Sequence, residues 1–215
     1  MAVEKIFWKD PYLTQIDAVV TSVAENSVTV SQTVAYAFNG GQASDAGTIG
    51  GYPILSAEKE GKDIRYTLSD SHQLYTGDSV TVVIDWPRRY RLMRLHFAAE
   101  LVLEHVYQFF HHPEKIGANI NEDKARIDFY WEGSIATIFP ELTQRVNQMI
   151  TEDLPIISAF SDEQNQRRYW RIEGFAQVPC GGTHLRRTGE IGPIYLKRRN
   201  LGKGKERIEI FLQED

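Results

Sequence analysis

Apolar and polar residues change their rhythm once along this chain. Over the first 85 residues, short β-branched runs stand between clusters of Gly, Asn, Ser and Asp: Val19-Val20, Val28-Thr-Val30, Ile64-Arg-Tyr-Thr-Leu68 and Val80-Thr-Val-Val-Ile84. Such runs predict strands at spacings suited to a small barrel. Asn39-Gly40-Gly41-Gln42 predicts a loop, because paired glycines accept positive φ. The stretch from Met1 to Trp8 reads as the start of a strand and lacks a signal-peptide pattern. Trp86-Pro87 is expected to close this unit, since proline cannot continue a central strand.

From Arg88 to about His111 the pattern becomes helical. Leu92, Leu95, Ala99, Val102, Leu103, Val106 and Phe110 recur at three- and four-residue steps, which predicts an amphipathic helix, and Pro113 follows its end. A second helix is predicted from Pro140 to Thr151, with proline in its first turn. Strands are expected at Ala125-Arg-Ile-Asp-Phe-Tyr-Trp131, Arg168-Tyr-Trp-Arg-Ile172, Gly174-Phe-Ala-Gln-Val178, Ile194-Tyr-Leu-Lys197 and Arg207-Ile-Glu-Ile-Phe-Leu212. Lys203-Gly204-Lys205 predicts the hairpin turn before the last of them. The fold class this implies is α+β: a small β-barrel-like, glycine-rich domain over residues 1–87, then a two-layer α/β domain over 88–215.

Bulk properties narrow the function classes. A chain of 215 residues can bury a real core. No run of about 18 apolar residues is present, so no membrane partner is expected. The single cysteine cannot form an internal disulfide, and a reduced thiol points to a cytoplasmic location. No P-loop or dinucleotide fingerprint occurs, so no nucleotide cofactor is expected. The net charge of −5 hides an asymmetry: residues 1–85 carry 5 basic and 11 acidic side chains, the rest 19 and 18. The later basic residues cluster, notably Arg186-Arg187 and Lys197-Arg198-Arg199. Local positive charge is what phosphate binding needs, although a charge run is as often a solvated face.

Candidate chemistry lies at Cys180-Gly181-Gly182-Thr183-His184. A thiolate and an imidazole four residues apart can share one zinc ion, while a lone cysteine is as often a small buried apolar residue. Upstream, His96 and Glu100 are four apart on the first predicted helix. Their Cβ atoms would lie about 5–6 Å apart on one face, suited to two ligands or to a ligand and its partner.

The longer string Cys180-Gly-Gly-Thr-His184-Leu-Arg-Arg-Thr188-Gly-Glu190-Ile-Gly192 closely resembles the signature of the editing domains of alanyl-tRNA synthetases and of the free-standing AlaX editing proteins. Further matches include Thr33, Gly40-Gly41-Gln42 and Asp45 in the glycine-rich stretch, Gly77-Asp78, Arg88-Arg89 and Lys203-Gly204-Lys205. The chain resembles the intermediate-length members, which keep the glycine-rich domain. The family's upstream H-x-x-x-H is here His96 to Glu100, with Phe97 where threonine is usual. Alanine stands at 35 and 37, and asparagine at 39, where the family has Phe, Pro and Gly.

The resemblance implies a zinc-dependent aminoacyl-tRNA deacylase that edits in trans. Its expected substrate is seryl-tRNA specific for alanine, with glycyl-tRNA as a second candidate. Zn2+ would be held by His96, Cys180 and His184. Glu100 would be either the fourth ligand or a general base beside an open metal position. Thr33 and Gln42 would contact substrate. Arg186, Arg187, Lys197, Arg198 and Arg199 would hold the tRNA acceptor stem. Two other readings stand beside it, a non-catalytic tRNA-binding protein with a decayed metal site and a metal hydrolase of small esters.

Overall fold

The computed structural model describes residues 2–213. It is of mixed α+β construction and forms two compact units. One comprises the chain up to Asn39 together with Ala43–Tyr90; the other comprises Gly40–Gln42 and the chain from Arg91 onward.

The first unit is built on a seven-stranded antiparallel sheet. Its order is Tyr52–Pro53, Gly47–Ile49, Ser79–Ile84, Gln15–Ala24, Ser27–Val30, Asp63–Thr67 and Ser56–Glu60. The ten-residue strand Gln15–Ala24 pairs with Ser79–Ile84 through its first half and with Ser27–Val30 through its second. A register shift between Val20 and Ser22 separates the halves and bends the strand. The two edge strands are consecutive in the chain, with only Ile54 and Leu55 between them, so the sheet must curl. Alternate residues Val28, Val30, Ile64, Tyr66, Val80, Val82 and Ile84 fill the interior. The N-terminal stretch differs from the expected strand: only Glu4–Lys5 pairs, parallel to Gln32–Thr33, and Ile6–Lys9 forms one helical turn.

Inside this unit Arg89 is fully buried against Asp45. Its Nε donates to Asp45 Oδ1 at 2.9 Å, and its other nitrogens donate to the carbonyls of Pro11 and Val34 at 2.9 and 2.6 Å. Asp45 Oδ2 also accepts the Tyr36 N–H at 2.7 Å. A buried pair this fully hydrogen-bonded repays its desolvation and fixes the glycine-rich segment on that side.

The long helix spans Trp86–Phe109, starting two residues earlier than expected. Trp86-Pro87 therefore opens a helix as well as closing the strand region. Proline costs nothing in a first turn, and Asp85 Oδ1 caps the turn by accepting the Arg88 N–H at 3.1 Å. The apolar stripe proves incomplete as a description. Met93, Phe97, Ala98 and Leu101 are buried as well, so the helix is enclosed on most of its circumference. It ends where His111 and His112 turn to φ of 62° and 49°.

In the second unit a four-stranded antiparallel sheet runs in the order Lys115–Ile120, Ala125–Tyr130, Lys205–Leu212 and Ile194–Gly202. Ala125, Ile127, Phe129, Ile208, Ile210 and Ile194 share its apolar face, while Arg126, Arg207, Glu209 and Lys197 share the other. The helix Phe139–Thr151 buries Leu142, Val146, Met149 and Ile150. Its Asn147 side chain exchanges two hydrogen bonds with the Ile194 backbone. A three-stranded sheet, Ile157–Asp162, Arg167–Ile172 and Ala176–Pro179, carries the chain to Cys180. Gly174, expected to begin a strand, lies in the turn before it at φ 73°.

Candidate metal centre

The candidate site lies wholly in the second unit. The long helix supplies His96 and, one turn on, Glu100. The three-stranded sheet delivers Cys180, whose N–H donates to the Arg168 carbonyl at 2.9 Å as pairing ends. The loop after it brings back His184.

The ligand atoms of His96, Cys180 and His184 lie within 4.8 Å of one another. Cys180 Sγ is 3.2 Å from His184 Nε2 and 3.6 Å from His96 Nε2. Glu100 Oε1 lies against two of the three, 3.2 Å from His96 Nε2 and 3.4 Å from Cys180 Sγ. Ligand atoms on a tetrahedral zinc stand about 3.3–3.6 Å apart, given bonds of about 2.0–2.3 Å. The separations from Cys180 Sγ to both imidazoles and from Glu100 Oε1 to His96 and Cys180 are close to that spacing, and the donors match zinc in kind.

The outer contacts fit a metal too. His96 Nδ1 faces the Thr183 carbonyl at 3.3 Å, and His184 Nδ1 faces Ser158 Oγ at 2.9 Å. Each imidazole thus has its far nitrogen occupied and its Nε2 turned toward the thiol, the arrangement that fixes a ligand's tautomer. Glu100 Oε2 accepts the Trp170 Nε1–H at 3.1 Å.

Within the cluster the charged groups compensate one another. Burial disfavours the charged His96 ring, but the adjacent Cys180 and Glu100 outweigh it and raise its pKa to about 10. Burial likewise works against the Glu100 carboxylate, and His96 overcomes it, leaving Glu100 at about 2. His184 is pushed well down by burial and by the His96 charge. The site therefore holds Glu100 as a carboxylate and keeps the His184 imidazole neutral.

The loop geometry explains the glycines. A Cβ on Gly182 would sit 2.2 Å from His96 Cε1 and 2.7 Å from Gln42 Oε1, so only glycine passes between them. Gln42 holds the same loop: its Nε2 donates to Thr183 Oγ1 at 2.8 Å, and its Oε1 accepts the Thr183 N–H at 3.2 Å. Gln42 itself is positioned by Gly41, whose φ is 98° and where a Cβ would sit 2.9 Å from the Ala118 carbonyl oxygen, leaving no place for a side chain. Beside His96 and Glu100 opens a cavity of about 50 Å³, lined also by Gly40, Ala99, Leu103, Lys115, Ala118, Ile120 and Ile127.

Thr33 belongs to the first unit. It is fully buried, its Oγ1 accepts the Ala35 N–H at 3.0 Å and meets the Tyr66 hydroxyl at 2.8 Å. The expected tRNA contacts differ in availability. Arg198 donates twice to the buried Glu206 at 2.6 Å, and Arg187 binds Asp153 through Nε at 2.6 Å. Lys197 lies 5.5 and 5.0 Å over the stacked rings of Tyr195 and Phe211, and Arg186 and Arg199 are exposed.

Sequence reasoning missed Trp170, Ser158, Thr183 and Arg168. Arg168 is buried beside the thiol, its Nη1 donating to the Gly182 carbonyl at 3.2 Å, and burial lowers its pKa to about 10. Alternation marks Arg168 and Trp170 as inward residues of one strand, but nothing local marks them as partners of Cys180 and Glu100.

Comparison with known proteins places this geometry. A family model described as "Threonyl and Alanyl tRNA synthetase second additional domain" matches residues 164–209, which include Cys180 and His184. An alanyl-tRNA editing protein AlaX-M of Pyrococcus horikoshii is 31% identical over 214 residues, covering 97% of each chain. AlaX-M of Methanosarcina acetivorans is 31% identical over 242 residues, covering 97% of this chain and 98% of the relative. An alanine–tRNA ligase of Ignicoccus hospitalis is also 31% identical, but the match spans 25% of the ligase.

Proposed function

The chain belongs to the AlaX family of alanyl-tRNA editing proteins, and on that premise we propose that it is a zinc-dependent deacylase of mischarged tRNA. Its substrate on this reading is seryl-tRNA specific for alanine, with glycyl-tRNA as a second. The observation that carries the proposal is the convergence of His96, Cys180 and His184 within 4.8 Å beside a small cavity. Residues 1–87 are read as the glycine-rich domain and 88–215 as the editing domain.

His96, Cys180 and His184 would hold zinc, with Glu100 Oε1 as fourth donor. Two features favour Glu100 as ligand over base. Its Oε1 already stands at ligand spacing from two donors, and its Oε2 is committed to Trp170. A zinc ion bound here would supply Lewis acidity and water of lowered pKa. In the reaction, water adds to the ester carbonyl, the bond from the carbonyl carbon to the ribose oxygen breaks, and free amino acid and intact tRNA result. The chain's own part is orientation. His96 and Glu100 form one wall of the cavity, Ala99, Ala118, Ile120 and Ile127 the others, and Gln42 holds the Thr183 turn in place.

Chemistry also supports the substrate class. A pocket that selects alanine excludes neither glycine nor serine well, so a second hydrolytic site is useful. The cavity beside His96 and Glu100 has room for a small polar side chain. Gln42 is read as a substrate-side group through the loop it holds, whereas the Thr33 hydroxyl, expected to favour serine, is buried in the first unit against Tyr66. The acceptor stem would lie on Arg186, Arg187, Lys197, Arg198 and Arg199, with the exposed Arg199 and Lys197 contributing most.

The test pairs metal content with activity. Wild-type protein should carry about one zinc per chain and release serine from seryl-tRNA, whereas Cys180→Ala should do neither. Hydrolysis that survives Cys180→Ala would sink the metal reading.

A further inference from the structure

Trp170 stands in the middle of the strand Arg167–Ile172 and is fully buried. A buried indole needs an acceptor for its N–H, and here the acceptor is Glu100 Oε2 at 3.1 Å. The ring is held by Phe97, which packs edge-on against it with centroids 5.2 Å apart and planes at 67°. Phe97 also packs edge-on against His184, at 5.8 Å and 70°. The indole position is therefore tied to the ligand set from two sides.

A carboxylate differs from an imidazole as a ligand. It offers two equivalent oxygens, can bind through either or both, and swings about its own axis. The Trp170 hydrogen bond removes that equivalence. It takes Oε2 and leaves Oε1 facing His96 Nε2 and Cys180 Sγ at 3.2 and 3.4 Å. The indole N–H is a donor only, so it can hold an anionic oxygen but cannot compete for the cation.

We propose that Trp170 is the positioning residue for Glu100: by holding Oε2 it makes the carboxylate a single-atom ligand aimed at the metal. This rests on the reading of His96, Cys180, His184 and Glu100 as a metal site. Trp170 touches neither metal nor substrate on this account and acts only through Glu100.

The test is a double-mutant cycle on zinc affinity, measured by chelator competition with the full chain. It uses wild type, Trp170→Phe, Glu100→His and the double variant. Histidine at 100 presents one donor atom to the metal and has no Oε2 for the indole. Trp170→Phe should weaken zinc binding about 10–100-fold beside Glu100, as loss of an outer-sphere partner does, and less than about threefold beside histidine. A loss of packing alone would cost the same in both backgrounds, and equal losses overturn the proposal. Should Trp170→Phe fail to fold, benzothienylalanine at 170 keeps the ring shape and removes only the N–H; unchanged zinc affinity there overturns it as well. Because deacylation is not the readout, an inactive protein that completes the cycle as expected sinks the editing function and leaves this inference standing. A protein that binds no zinc sinks both.

Discussion

Gln42 grips Thr183 from 141 residues away, donating to its hydroxyl at 2.8 Å and accepting its N–H at 3.2 Å. Both side chains are buried. One amide thus satisfies both the hydroxyl and the N–H of Thr183, whose carbonyl faces His96 Nδ1. Gly40–Gln42 and the loop from Cys180 to His184 are held together within the second unit.

Removing that grip has a definite cost. Gln42→Ala strands a buried N–H and a buried hydroxyl, which should destabilise the metal-free protein by about 1–3 kcal/mol. The loop then loses its fixed shape, so zinc affinity should fall as well. Denaturant unfolding and zinc competition on the same variant check both. An unchanged midpoint would mean that the two bonds are not formed in solution.

Gly182 is a sharper probe, because the obstacle is steric. A methyl group there would meet the His96 ring at 2.2 Å, so Gly182→Ala must displace either the loop or the ligand. Zinc should bind roughly 10–100-fold more weakly, the scale of outer-sphere disruptions. Gly117→Ala is the control, since a Cβ at 117 meets nothing within 4 Å. Equal affinities for the two variants would contradict the packing described.

Within the basic cluster Arg198 is engaged by Glu206 and Arg187 by Asp153, whereas Arg199 is exposed. Arg199→Ala should weaken tRNA binding and reduce its salt dependence by about one unit of slope. Arg198→Ala should leave that slope nearly unchanged but destabilise the fold, because Glu206 stays buried without its bidentate partner. Filter binding of tRNA across a salt series, beside thermal melts, distinguishes them. A slope change for Arg198→Ala as large as for Arg199→Ala would overturn the division.

Lys5 gives a pH signature in the first unit. Burial lowers its pKa to about 8 from 10.5, with Lys59 adding to the effect and Asp63 opposing it. Between these values the unfolded chain holds more protons than the folded one, so Lys5 makes stability rise with pH from about 8 to about 10.5. Lys5→Met should flatten that rise while leaving stability at pH 11 little changed. Urea midpoints from pH 7 to 11 for both proteins test it, and parallel curves would contradict the assigned burial.

Much of this was legible in the residues. The four-residue spacings of His96 to Glu100 and Cys180 to His184 were readable because each pair is local, and the long helix was readable from its apolar steps. Lys115–Ile120 was not, because Gly117, Ala118 and Asn119 are poor strand formers and pairing alone holds them extended. Ile157–Asp162 has no buried residue and lacks an alternating apolar face. Trp170 and Ser158 reach the site only through sheet pairing, and a strand's alternation says which residues point inward, not what they meet. The two glycines of the metal loop signalled tightness, yet the specific reason at 182, the His96 ring, belongs to a helix far away in sequence.

The central claim is hydrolytic editing at the His96–Cys180–His184 site. Its most direct test is the first-order loss of amino acid from seryl-tRNA specific for alanine, measured beside correctly charged alanyl-tRNA under single-turnover conditions. The account predicts rapid release of serine, alanine left in place, and loss of the serine reaction when zinc is removed by chelation. Both esters stable, or both cleaved alike with and without chelator, would contradict it.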